Sequence, residues 1–501
     1  MCISRRIRSG APPLAVTLAL FSSCASPMNE MRHTLGDIES EISERLFAEA
    51  AATVERDQFY RRKQNRFLLD LDAGGAHFFG GEYREATRHL LRAGELSEKY
   101  YTKSLSAHVL SFLVNDLTLP YYGEDYEVTF AAGLAALAFA VEDRYEDALV
   151  EARKVEHRLG VMSAAYEGSD KYRDDAFAHY LSGAIYEAAG NLNDAVVSYR
   201  RAWEIYGGRF FPMRPEQLRR VLLRSAAATG IDPGIGEVEN TAPVDSAGSV
   251  LFLAVFTGRG PSKEEVSMEI PFTKDGVPYT LKVAIPVLKT RGSRIASVRA
   301  TLDDGMSLEL ESACDYNHIG SAVFADKRPV IIAKTVARLS IRYLALRTAK
   351  GKLLEKYRKE YEKLKKEAEE VKNAEKVPQN VPAHVGDPQE IREDEKNGKG
   401  EEKEKEENRE RDIESRMEMA KLKIEAVSWA IDHLANELLE HADTRCSALC
   451  PARAYFAPIP TTPGEHRLLV EYLDASGAVI ETVRKAAEIR NGTVVLFCAP
   501  Y

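Results

Sequence analysis

The sequence predicts an α+β chain: an N-terminal helical solenoid, then a small antiparallel β unit interrupted by a long helical, coiled-coil-like hairpin. Three observations predict it. Three segments between residues 73 and 202 share one pattern of small residues at helical spacing. After Gly230–Pro243, a loop rich in Gly, Pro and Asn, the apolar period changes from helical to alternating. Two apolar seams spaced three and four residues apart flank a highly charged stretch almost devoid of apolar side chains.

Residues 1–23 read as a signal peptide. Arg5, Arg6 and Arg8 precede an apolar run, Leu14 to Phe21, of eight residues, against about 20 for a spanning helix. The "FSSC" at 21–24 places small residues before a cysteine, as in a bacterial lipobox. Cys24 is therefore the expected lipidation site, and residues 24–33 a lipid-anchored tether. Ala25, where Asp tends to retain lipoproteins on the inner membrane, points to the outer membrane, facing the periplasm. The plainer alternative is an ordinary signal cut elsewhere, with Cys24 incidental.

The 501 residues are 45% hydrophobic and 29% charged, with a net charge of −9. That balance suits a globular protein with an extended charged part and gives no basic footprint for nucleic acid. Besides Cys2 and Cys24 there are four cysteines: Cys314, Cys446, Cys450 and Cys498. An even set permits a disulfide among them in an oxidising compartment. Buried free thiols at Cys314 and Cys498 are the alternative.

Residues 34–235 form the helical part. "AGGAHFFGGEYREATRHLLRA", "ALAFAVEDRYEDALVEARKV" and "GAIYEAAGNLNDAVVSYRRA" align on Ala86, Ala148 and Ala195. Twelve residues earlier stand Gly74, Ala136 and Gly183; four later stand Leu90, Ala152 and Tyr199. This resembles the tetratricopeptide repeat, a helical hairpin whose small residues let its helices approach. The copies lie 62 and 47 residues apart, so extra helix or loop separates them. Residues 244–328 form the β unit. "SVLFLAVF" reads as a buried strand, Val266, Met268 and Ile270 alternate, and "DDG" at 303–305 makes a hairpin turn. Pro329 opens a long helix over 329–372. Residues 373–408 read as a charged disordered linker. A second long helix over 409–442 carries Met417, Ala420, Ile424, Val427, Ile431, Leu434 and Leu438 on one seam. The last β segment, 443–501, completes the sheet begun at Ser249.

Five stretches carry a further resemblance. They are "YYGEDYE" (121–127), "DALVEARKVEHRL" (147–159), "GRGPSKEE" (258–265), "KRPVIIAKTVARLSIRY" (327–343) and "HADTRCSALC" (441–450). With them the chain resembles an uncharacterised family of bacterial outer-membrane lipoproteins with tetratricopeptide-like repeats. A tryptophan often follows the "DTR" element in that family, where Cys446 stands here. The resemblance implies an envelope role; proximity to peptidoglycan is a further expectation, and no cofactor is expected.

Several groups could carry chemistry. Glu124, Asp125 and Glu127 sit among tyrosines, as a glycan-cleaving pair of carboxylates would. The plainer reading is a packing turn with solvated acids. His433, Glu437 and His441, followed by Cys446 and Cys450, hold zinc-ligand types without an H-E-x-x-H spacing; no metal is expected. "GRGPSK" lacks the phosphate-loop spacing and leads into a strand, so it reads as a tight turn. Lys334, Arg338 and Arg342 form a basic stripe, read as a solvated face or a contact for an acidic partner. If the solenoid presents a groove, Phe78, Tyr180 and Glu187 are its expected partner-binding residues. The sequence thus favours a lipid-anchored periplasmic scaffold that binds envelope proteins through the helical groove. The alternatives are a peptidoglycan-acting enzyme using Glu124, Asp125 and Glu127, or a structural subunit of an envelope complex.

Overall fold

In the first helical hairpin, α4 (Arg66–Phe79) packs on α5 (Tyr83–Ala107), with Gly74 facing Leu90 at the contact. A Cβ on Gly74 would stand 2.8 Å from Leu90 Cγ, so only glycine allows this approach. In the third hairpin, α8 (Ala176–Ala188) and α9 (Leu192–Ile205), Gly183 lies against the Tyr199 ring, where any Cβ would clash. The middle hairpin, α6 (Asp125–Val141) and α7 (Tyr145–Ala165), has alanines at both places, Ala136 and Ala152, each buried. The three turns also share one geometry. Gly81, Asp143 and Gly190 have φ of 81°, 56° and 82°. Each is followed by an amide that bonds five residues back: Glu82 to His77, Arg144 to Phe139 and Asn191 to Tyr186. That is a left-handed helix end closed by a 6→1 bond.

The computed structural model describes residues 26–107, 116–165, 170–235, 249–274, 277–374, 391–437, 441–489 and 493–498. Cys24 lies outside them. Among the described residues no helix is long and apolar enough to cross a membrane. The hairpins are preceded by α1 (Ser26–Ser43), α2 (Phe47–Arg56) and the one-turn α3 (Gln58–Arg61), and followed by α10 (Glu216–Thr229).

Two sheets follow. The first has the order β10-β1-β7-β6, built from β1 (Ser249–Arg259), β6 (Ser312–Asp315), β7 (Pro451–Thr461) and β10 (Thr493–Cys498). The second has the order β5-β4-β8-β9, from β4 (Ser297–Leu302), β5 (Ser307–Leu310), β8 (Gly464–Leu473) and β9 (Val479–Ile489). The last strands flank β1 on both sides: β7 antiparallel, with Leu253 opposite Ala457, and β10 parallel, with Leu253 opposite Leu496. The β unit is therefore mixed along one edge where only antiparallel pairing was expected. Alternation along β1 divides its side chains between two cores. Val250, Phe252, Ala254 and Phe256 pack with the helices, while Leu251, Leu253 and Val255 pack against Val298, Val470 and Ile489 of the second sheet. Burial on both faces explains the unbroken apolar run of this strand. The layers are thus helices, first sheet, second sheet.

Between β1 and β4 runs a two-stranded ribbon, β2 (Ser262–Lys274) and β3 (Val277–Lys289). The alternating Val266 and Met268 are exposed on it rather than buried. The chain divides into two units, one of Met1–Val266, Ile285–Ile332 and His441–Tyr501, the other of Ser267–Ala284 and Ala333–Glu440.

The long helices correct two boundaries. Helix α11 runs Tyr316–Ala374, with Pro329 inside it rather than at its start. Asp315 Oδ1 accepts from the His318 amide at 2.9 Å, and Tyr316, Ile319 and Val323 are buried. A helix interior loses about 3 kcal/mol to proline; burial of this first stretch outweighs that. Helix α12 runs Ile391–Glu437 and so includes much of the stretch read as a disordered linker. Glu, Lys and Arg are strong helix formers even without an apolar face. Within the second unit the two helices run antiparallel. Lys372 pairs with Glu410 at 3.9 Å and Glu360 with Lys423 at 3.4 Å. Leu364 and Val371 are buried on one helix and Ile413, Ala420 and Val427 on the other, each set at seven-residue steps. Of the basic stripe, Arg338 is buried rather than solvated, Lys334 is half-buried, and the Arg342 side chain lies outside the described residues.

Candidate functional site

Residues 442–450, between α12 and β7, have neither helix nor strand, yet nearly all are buried. Buried backbone without a ladder must find hydrogen-bond partners elsewhere. Here they are carboxylates. The Ala442 amide donates to Glu265 Oε2 at 2.8 Å. The Ser447 amide donates to Glu127 Oε1 at 2.7 Å, and the Ala448 amide to Asp72 Oδ1 at 3.1 Å. Ser447 Oγ donates to Asp72 at 2.5 Å and accepts from the amides of Leu449 and Cys450. Lys263 Nζ donates to the Arg445 carbonyl at 3.2 Å, and the Gly260 amide to that of Cys450 at 2.7 Å. The segment is a strap held on α4, the start of α6 and the "GRGPSK" turn. Gly75 makes room for it: a Cβ there would come 3.0 Å from Leu449 Cβ.

Arg445 is a buried anchor, 2% exposed. Its guanidinium donates to Asp443 Oδ2 at 2.7 Å, the Asp116 carbonyl at 2.8 Å, the Leu119 carbonyl at 3.0 Å and Asn65 Oδ1 at 3.1 Å. It also lies over the Tyr121 ring, 5.0 Å from the centroid.

The acids of "YYGEDYE" serve this arrangement. Glu124 accepts from Lys263 and, at 2.6 Å, from Lys327. Burial would raise its pKa, but the two ammonium groups override that and hold the carboxyl far below the usual range. Glu127 accepts from Tyr121 Oη at 2.6 Å, the Glu124 amide at 2.8 Å and the strap; burial pushes its pKa up. Asp125 stands 4.0 Å from Lys327, and burial raises its pKa too. Burial also lifts Asp72 to about 6 against the opposing hydrogen bonds from Ser447 and Tyr60. A general acid needs a proton to give near neutrality. Glu124, clamped as a carboxylate between two lysines, has none, and the oxygens of Glu127 are engaged by hydroxyl and amide donors. The cluster cradles residues 442–450 of the chain itself.

The expected groove residues lie elsewhere. Phe78 and Tyr180 are fully buried. The Tyr180 ring meets Phe456 of β7 at 4.8 Å, and Phe78 packs on Tyr83 at 5.5 Å. Glu187 binds Arg224 and, at 2.9 Å, Tyr199 Oη. They form no open groove, because the aromatic side chains of β1 and β7 cover that helix face. Phe177 contacts Phe256 and Phe456, and Tyr199 stacks on Phe252. Of the zinc-ligand types, His441 Nδ1 turns to Glu265 at 3.3 Å, while the side chains of His433 and Glu437 lie outside the described residues. Cys314, Cys446 and Cys450 are free buried thiols rather than disulfide partners. Burial, with Glu127 nearby, pushes Cys446 up to about 12. The Cys498 side chain lies outside the described residues.

Sequence reasoning missed Asp72, Lys263 and Arg445. A signal for the first exists: "FLLDLDAGGA" sets two acids in an apolar helical run, where burial demands a partner. Comparison of the chain with protein-family models, with curated proteins and with solved structures finds no match.

Proposed function

We propose that this chain is a non-enzymatic scaffold of the bacterial envelope, anchored to the outer membrane by a lipid on Cys24 and facing the periplasm. In this reading it docks a partner helix on the outer face of α12. The signal-like N-terminus and its "FSSC" motif support the anchor. The glycine contacts of the first and third hairpins, the alanines at the same places in the second and the turn geometry of all three support reading the helical part as tetratricopeptide-like.

One observation carries the docking. Met419, Leu422 and Trp429 are 54%, 55% and 65% exposed. Scattered apolar residues on a surface need no explanation. Leu422 and Trp429, seven apart, each stand two residues past a member of the Ile413, Ala420 and Val427 seam and so roughly on the opposite side of the helix, with Met419 on the flank. A helix apolar on two opposite faces fits a second helical partner, met as in a coiled coil. In this reading the partner-binding surface lies on the second unit rather than on the helix face that aromatic side chains of β1 and β7 cover.

The test compares the anchored wild type with Leu422→Lys/Trp429→Lys. Envelope proteins are captured with both, and self-association is followed by sedimentation. The double variant should keep its circular dichroism and its membrane fraction while losing the captured partner. Equal capture by the two proteins would overturn the docking face. A Cys24→Ser protein that still partitions into detergent would remove the anchor.

A further inference from the structure

Glu55 on α2, His77 on α4 and His89 on α5 bring three ligand atoms together between α2 and the first hairpin. His89 Nε2 stands 3.0 Å from Glu55 Oε1, and His77 Nε2 stands 3.8 Å from the same oxygen. All three atoms lie within 4.8 Å of one another. A tetrahedral site with bonds of about 2.0–2.1 Å sets its ligands about 3.3 Å apart, between those two values.

The other ring nitrogens are both occupied by carboxylates. His77 Nδ1 meets Glu82 Oε2 at 2.5 Å, and His89 Nδ1 meets Asp70 Oδ1 at 2.8 Å. An imidazole that donates from Nδ1 carries a lone pair on Nε2. With both rings in that tautomer, two Nε2 lone pairs and the Glu55 carboxylate oxygen converge on one point. His77 Nε2 is buried and has no hydrogen bond. Three acceptors facing each other repel unless a cation lies among them. The carboxylates behind the rings are the outer shell that orients metal-bound histidines. Arg88 approaches His89 Nε2 at 3.4 Å, but it is half exposed and already paired with Glu85. Arg92 Nη2 lies 2.7 Å from Asp70 Oδ1 and 2.9 Å from His89 Nδ1, a cation held beside the ring by that carboxylate. The rings stand 21° from parallel, so closing a tetrahedron takes rotation about a broad His χ2 torsion rather than a backbone shift.

We propose that Glu55, His77 and His89 bind one divalent transition-metal ion of the zinc type, which pins α2 to the first helical hairpin. Two imidazoles and a carboxylate suit zinc, and the half-exposed Glu55 leaves the fourth position on the solvent side. No spacing motif announces the site, since its ligands come from three helices.

The test uses the untagged chain, freed of metal and titrated with Zn2+ against a chromophoric chelator, with Co2+ as a spectroscopic probe. Wild type should take up one equivalent, give the intense visible bands of tetrahedral Co2+ and gain a few degrees in its unfolding midpoint. His77→Gln should keep the metal-free midpoint and lose binding by at least about 100-fold. Glu82→Gln should lose about 10- to 100-fold, as a positioning residue does. Failure of wild type to bind either ion stoichiometrically would overturn the proposal. So would unchanged binding in both His77→Gln and Glu55→Gln, since the metal would then sit elsewhere. Should His77→Gln not fold, Glu55→Gln, whose side chain is 40% exposed, decides alone.

Discussion

Glu124 shows what becomes of an acid when two amines reach it in a poorly hydrated place. Removing its charge strands Lys263, whose side chain is only 8% exposed. Glu124→Gln should therefore destabilise the protein by about 3–5 kcal/mol, the cost of breaking a buried pair from one side. A urea titration checks this; a loss below about 1 kcal/mol would mean the pair is not structural. Incubation of the wild type with purified sacculi checks the enzyme reading in parallel, and muropeptide release abolished by Glu124→Gln would revive it. His179 gives a pH prediction. Burial works against its charge, yet Asp174, 2.8 Å from Nε2, and Glu156, 3.9 Å from Nδ1, raise its pKa to about 9. A folded pKa above the unfolded value near 6.5 makes this contribution complete below pH 6.5. It is then lost as the pH climbs through 9, up to about 3 kcal/mol in all. The urea midpoint of wild type should fall across that window. The same titration of His179→Gln should be flatter, Arg201 remaining on Asp174 in both.

At the scale of elements the strap is the part the sequence could not reveal. "HADTRCSALC" has no period, so pattern reading yields only a loop; its structure is written in residues up to 380 positions away, such as Asn65 beneath Arg445. The repeats and seams were legible because periodicity is local. The glycine–partner offsets read from aligned copies reappear as the contacts of Gly74 with Leu90 and Gly183 with Tyr199. The start of α11 was misread because Pro329 is a strong local stop, while the burial that overrides it is tertiary. Two measurements probe these elements. Arg445→Ala leaves Asp443, Asn65 and two carbonyls without their donor and should cost about 3–5 kcal/mol. Hydrogen exchange should show the amides of 446–450 losing protection first; unchanged protection would mean the strap is held by its backbone alone. Pro329→Ala restores a helical amide and should raise stability by about 1–3 kcal/mol; a loss would show that the proline's own packing matters more.

Over the whole molecule, the strand at the centre of the three layers is β1, and both its neighbours come from the last 51 residues of the sequence. Its pairing with β10, from Val250 opposite Thr493 to Val255 opposite Cys498, closes one side of that strand. Truncation after Ile489 would leave β1 as a bare, wholly apolar edge, which templates pairing between chains. Such a protein should be recovered aggregated, with helical circular dichroism but no cooperative unfolding transition. A soluble, cooperatively folding truncate would show that β7 alone suffices.

That placement of β1 makes the fold a test of completeness. The helices cannot close their inner face until Phe456 and its neighbours arrive, nor can α4 neutralise the burial of Asp72 until Ser447 is in hand. A ribosome releases the N-terminal hairpins long before those residues emerge. Until then the chain presents unfinished apolar surface to chaperones and proteases.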